Sequence, residues 1–137
     1  MYQVLIADPD RASRDLLMQA LSVDNCSIKA VCSGEEVLQE IAKKETDVLI
    51  VEVHLPDIPA WELVPQVREI ASEVSIVAVT EDDCWEISRR VRVTNGPVFF
   101  YGLKPLNLRE MQDVVRYAVQ WRQRQGNQIE SMLITAQ

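Results

Sequence analysis

Five positions in this chain carry side chains suited to holding a hard cation or a phosphoryl group: Asp8 with Asp10, Glu52, Thr80 and Lys104. Carboxylates together with water are the ligands of an ion such as Mg²⁺. A hydroxyl and an ammonium are suited to phosphoryl oxygens. The residues are far apart in sequence, but each falls at or just past the end of a short apolar run. These runs are Val4-Leu5-Ile6-Ala7, Val48-Leu49-Ile50-Val51, the run 74–79, and the run 98–101 that closes on Gly102-Leu103-Lys104-Pro105. Short Val- and Ile-rich runs flanked by charge and proline read as strands buried on both faces. In an open parallel sheet all such ends share one edge, and ligands bind there. The expectation is that the five residues converge on Glu52.

The intervening segments read as helices. Asp10 is placed to cap a helix carrying Ala12, Leu16, Leu17, Ala20 and Leu21 at helical spacing. A weak strand covers 28–32. Ser33 with Glu36 matches a capping box ahead of Val37, Leu38 and Ile41. Residues 60–71 read as a helix with Leu63, Val64, Val67 and Ile70 inward, in which Pro65 is tolerable only in the first turn. A further helix is expected over 82–92, then a turn at Asn95-Gly96-Pro97. Asn107 with Glu110 repeats the capping-box pattern and opens a last helix with Leu108, Met111, Val115, Ala118 and Val119 on one side. Gly126-Asn127 is expected to interrupt it, giving a domain over 1–123 and a tail or linker-helix start over 124–137. Strand then helix, five times, predicts an α/β fold with helices on both faces of a parallel sheet.

A chain of 137 residues fits one domain. The net charge of -7 argues against a nucleic-acid surface, which needs clustered Lys and Arg. Cys26, Cys32 and Cys84 lack metal-binding spacing and predict free thiols in a reducing, cytoplasmic setting. No apolar run approaches the roughly 20 residues of a membrane helix.

Taken together, Val4 to Asp8, Asp47 to Pro56, Val77 to Thr80 and Tyr101 to Pro105 resemble the receiver domain of two-component response regulators (CheY-like) over roughly residues 3–122. The resemblance implies a flavodoxin-like (βα)5 three-layer sandwich with sheet order 2-1-3-4-5. That order is the one receiver proteins such as CheY adopt, so it follows from the likeness and not from the spacing of these residues. The resemblance also implies an aspartate at the third strand end that takes a phosphoryl group from a histidine kinase, Mg²⁺ on that aspartate and two acids after the first strand, and a threonine, an aromatic and a lysine that respond to the phosphoryl group. Thr80, Tyr101 and Lys104 stand at the last three positions. Asp8 stands at the first acid. Pro9 replaces the second acid, and Asp10 lies one residue further on. Glu52 occupies the acceptor position, Pro59-Ala60 replaces a common Asp-Gly turn, and the only histidine, His54, stands where an apolar residue is common.

Glutamate is one methylene longer than aspartate, and a misplacement of about 1 Å can cost about 100-fold in a transfer step. Mg²⁺ demands near-ideal octahedral geometry, so Asp8, Asp10 and Glu52 are expected to bind it weakly or not at all. The resulting expectation is an atypical receiver, not an enzyme, that acts as a protein–protein interaction module without standard aspartyl phosphorylation. Glu52 near Lys104 would imitate an activated arrangement if the two lie within hydrogen-bond reach and Tyr101 is turned inward. The alternative is a working receiver with Mg²⁺ and a non-standard acceptor. Expected partners are a histidine kinase or output domain and a second copy through 82–92 and 107–122, with no nucleic acid and no membrane.

Overall fold

The computed structural model describes residues 1–23, 25–92 and 98–135. Strands β1 (Tyr2–Ala7), β2 (Cys26–Val31), β3 (Val48–Glu52), β4 (Ser75–Thr80) and β5 (Phe100–Leu103) alternate with helices α1 (Arg11–Leu21), α2 (Gly34–Lys43), α3 (Ala60–Ile70), α4 (Trp85–Arg92) and α5 (Leu108–Thr135). The strands form one parallel sheet in the order β2-β1-β3-β4-β5, as expected.

The sheet is the middle of three layers because its strands are apolar on both faces. Successive side chains of a strand point to opposite faces. Leu5, Leu49, Val51, Ile76 and Ala78 pack with α2, α3 and Val91 of α4. Val4, Ile6, Val48, Ile50, Val77 and Val79 pack with Leu17 and Leu21 of α1 and with α5. All five residues of β3 are buried, as its continuous apolar run requires.

Local signals at the helix starts behave as read. The Asp10 carboxylate accepts the Ala12 N–H and caps α1. The Ser33 hydroxyl accepts the Glu36 N–H at 3.3 Å and donates to Glu36 Oε1 at 3.0 Å, so the box closes through the hydroxyl. Asn107 Oδ1 accepts the Glu110 N–H at 3.0 Å.

Several expectations differ from what is observed. Pro65 lies inside α3, beyond its first turn; the helix persists because Ala60, Leu63, Val64 and Val67 are buried against the sheet. Ile70 and Leu16 are each half exposed, because three neighbours at helical spacing already fill the inward stripe of each helix. The weak second strand begins at Cys26, drawn into register by pairing with Tyr2. The fourth helix begins at Trp85, after an acidic loop of Glu81, Asp82 and Asp83. The fifth strand is shifted to Phe100–Leu103 by its pairing with Val77 to Thr80. The last helix runs unbroken through Gly126-Asn127, since one glycine costs a helix only about 1 kcal/mol. The expected turn at Asn95-Gly96-Pro97 lies outside the described residues. No helix among the described residues is long and apolar enough to cross a membrane.

Leu49 is fully buried in the central strand. Leu49→Ala is expected to lower stability by about 3 kcal/mol through lost transfer energy and an unfilled cavity, read as a lower urea midpoint at unchanged slope.

Candidate functional site

The parallel strands deliver Asp8, Glu52, Thr80 and Lys104 to one edge, and three of the four meet there. Asp8 follows β1 and is 1% exposed; Glu52 ends β3 and is 7% exposed. Lys104 Nζ lies 2.7 Å from Asp8 Oδ2, which accepts its hydrogen bond. The same ammonium lies 2.8 Å from Glu52 Oε2, a close ion pair that is off the hydrogen-bond axis. Asp8 is further fixed by the Asp10 N–H, 2.8 Å from Oδ1, and its carbonyl accepts Arg14 Nη1 at 2.8 Å. Glu52 Oε1 receives the His54 N–H at a long 3.4 Å.

Lys104 follows directly on the last residue of β5. Its N–H donates to the Thr80 carbonyl at 2.8 Å, and the Lys104–Pro105 peptide is cis. Gly102 is needed just before it: a Cβ there would stand 3.1 Å from Phe100 Cε1. Burial lowers the Lys104 pKa, but the Asp8 and Glu52 carboxylates more than offset this and raise it above the ordinary lysine value.

The remaining expected site residues are placed as follows. Thr80 is fully buried, and its hydroxyl oxygen accepts the Asp82 N–H at 3.1 Å. Tyr101 packs half-buried against the α2–α3–α4 side of the core, with its hydroxyl oxygen sealed from solvent. Asp10 does not join Asp8 and Glu52. Its exposed carboxylate accepts Ser13 Oγ at 2.9 Å and the Ala12 N–H at 3.2 Å, and these bonds lower its pKa. Asp8 and Glu52 share the one Lys104 ammonium, and among the described residues no group of three His, Cys, Asp or Glu is placed to hold a metal.

Two features had no signal in the sequence. Asp57, in the loop after β3, accepts the Gly34 N–H at 2.8 Å and the Glu35 N–H at 3.0 Å. The Gly34 N–H above all pulls its carboxyl below the ordinary aspartate range. This ties the loop beyond Glu52 to the start of α2. His54 Nε2 meets Asp82 Oδ2 at 3.0 Å, which links the loops after β3 and β4. Both contacts join residues more than 20 positions apart.

Residues 4–116 match the family model described as the response regulator receiver domain. Over 109 residues the chain is 30% identical to the response regulator MprA of Mycobacterium avium (strain 104), covering 80% of this chain and 47% of MprA. Over 116 residues it is 27% identical to the DNA-binding transcriptional regulator NtrC of Azospirillum brasilense, covering 85% of this chain and 24% of NtrC. The chain thus spans about half or less of the length of these relatives. In architecture it is similar to the CheY-like receiver domain protein of Methanospirillum hungatei JF-1, with a TM-score of 0.85 at 21% identity over 91% of this chain and 98% of that one.

Removing the ammonium would leave two buried carboxylates facing each other. Lys104→Ala is therefore expected to cost about 3 kcal/mol in chemical denaturation. In the unaltered chain the raised Lys104 pKa gives a stability contribution that is complete below the unfolded lysine value of about 10.4. It is lost as pH rises through the higher folded value, and a denaturation series from pH 8 to 12 checks this.

Proposed function

This chain belongs to the response regulator receiver domain family, and from that premise we propose that it is an atypical two-component receiver whose signalling surface works without standard aspartyl phosphorylation. The observation that carries the proposal is the single ammonium of Lys104 within 2.7 Å of Asp8 and 2.8 Å of Glu52. In this reading the Glu52 carboxylate fills part of the space a phosphoryl group would take. Lys104 is held as it would be by a phosphoryl oxygen. The half-buried packing of Tyr101 against the core supports the same reading. Weak Mg²⁺ binding follows from Pro9 at the second acid position and Asp10 committed to its helix cap.

The partners implied by the family are a histidine kinase or an output domain. We place residues 1–123 in the receiver, since Val119 is the last buried core side chain described. We read 124–137 as the tail or the start of a linker toward an output domain, with α5 running through Thr135; the relative NtrC is named a DNA-binding transcriptional regulator. The proposed contact surface, for a partner or a second copy, is the face of α4 and α5. Trp85, Tyr117 and Trp121 are exposed on these helices, and aromatic side chains are enriched in interfaces. The acidic balance of this chain speaks against direct nucleic-acid binding by the receiver itself. Its free cysteines accord with a reducing cytoplasm.

Incubation with acetyl phosphate and Mg²⁺, read by intact mass, is expected to leave the chain unmodified. A stable gain of about 80 Da, one phosphoryl group, would overturn the proposal in favour of a receiver with a non-standard acceptor.

A further inference from the structure

Helix α4 is eight residues long, and among the described residues Val91 is its one fully buried side chain. So short a helix is marginal on its own and depends on outside contacts. The sheet supplies few, yet a string of side chains outside the core supplies more. His54 Nε2 meets Asp82 Oδ2 at 3.0 Å, just ahead of α4. The His54 ring meets the Trp61 ring of α3 edge to face, with centroids 6.0 Å apart. The Arg90 guanidinium of α4 lies over the other end of this string, 5.8 Å from the Trp61 centroid. The helix is thus gripped near its beginning by a hydrogen bond and near its end by a cation–π contact, and both grips run through the segment 54–61. The two ends also touch the site through the backbone. The His54 N–H donates to Glu52 Oε1, and the Asp82 N–H donates to Thr80 Oγ1.

We propose that His54, Trp61, Asp82 and Arg90 form a latch through which the placement of the Glu52 side chain sets how firmly α4 is held against α3. A shift of Glu52 moves the His54 backbone, and with it the ring that both contacts require. The latch thereby fixes the direction in which the exposed Trp85 and its stacked Arg89 face solvent. None of this depends on whether Glu52 can be phosphorylated, so the mass experiment above and the test below fail independently.

The test is amide hydrogen exchange on the full chain. His54 and Asp82 are each 43% exposed in their side chains, so their replacement leaves the core intact. His54→Ala and Asp82→Asn are each expected to speed exchange in α4 about three- to fivefold, the scale of a surface pair, with β1 and β3 unchanged. Glu52→Ala is expected to speed α4 exchange as well. The Glu52→Ala/His54→Ala double variant should be no faster than the faster single variant, because both act through one string. Effects that multiply in the double variant would overturn the coupling. Unchanged α4 exchange in both His54→Ala and Asp82→Asn would overturn the latch itself. If His54→Ala lowers protection everywhere, the Asp82→Asn variant decides.

Discussion

The arrangement depends on one cation shared between two buried anions. At about 2.75 Å and an effective dielectric of about 20, each Lys104 contact is worth roughly 6 kcal/mol of gross attraction. Taking three charges out of water costs several kcal/mol apiece, so the net gain is small. The asymmetry matters more. With the ammonium present, Asp8 and Glu52 can lie side by side at 1% and 7% exposure. Without it they repel, and among the described residues no other side chain forms an ion pair with either carboxylate. The backbone ladder joins the ends of β1 and β3, and the lysine is what lets their two carboxylates sit buried together.

The sheet makes this cation hard to deliver. Neighbouring strands are about 4.8 Å apart, so the line of β5 lies about 10 Å from β3 and about 14 Å from β1. A lysine pointing straight up from β5 could not reach Asp8. The Lys104 N–H continues the β4–β5 ladder by bonding to the Thr80 carbonyl, so the backbone stays beside β4 and the long side chain spans the rest. A Cβ at Gly102, within β5, would crowd the Phe100 and Leu106 side chains, so a side chain there would require those neighbours to shift.

What was legible in advance follows from the range of the forces. Strands β1, β3 and β4 were readable because burial on both faces demands continuous Val and Ile, which leaves a signal inside a window of a few residues, whereas the partly buried β2 and β5 were each placed two residues off at their start. The caps at Ser33 and Asn107 were readable because each is complete within three residues. Convergence of Asp8, Glu52 and Lys104 followed from parallel topology, and Thr80 joined the same edge. The position of Pro65 was not readable, because tertiary burial of Leu63, Val64 and Val67 overrides a local helix cost. Nor was the persistence of α5 past Gly126. The Asp57 cap and the His54–Asp82 bridge left no trace at all, since they join loops whose spacing in sequence carries no constraint.

The extra methylene at position 52 ties these points together. An aspartate there would end about 1.5 Å shorter. With Lys104 unmoved, its ammonium would lie about 1.5 Å further from that carboxylate than it does from Glu52. Glutamate closes that gap with its own carboxylate. The Glu52 carboxylate already stands against the ammonium at 2.8 Å, and the phosphate-free reading proposed above rests on that contact. The same reach brings Oε1 under the His54 N–H, so the closure is felt by the loop that leads to α3. A single change in side-chain length thereby acts in two directions: inward, on the charge that Lys104 must share, and outward, on the segment that grips α4.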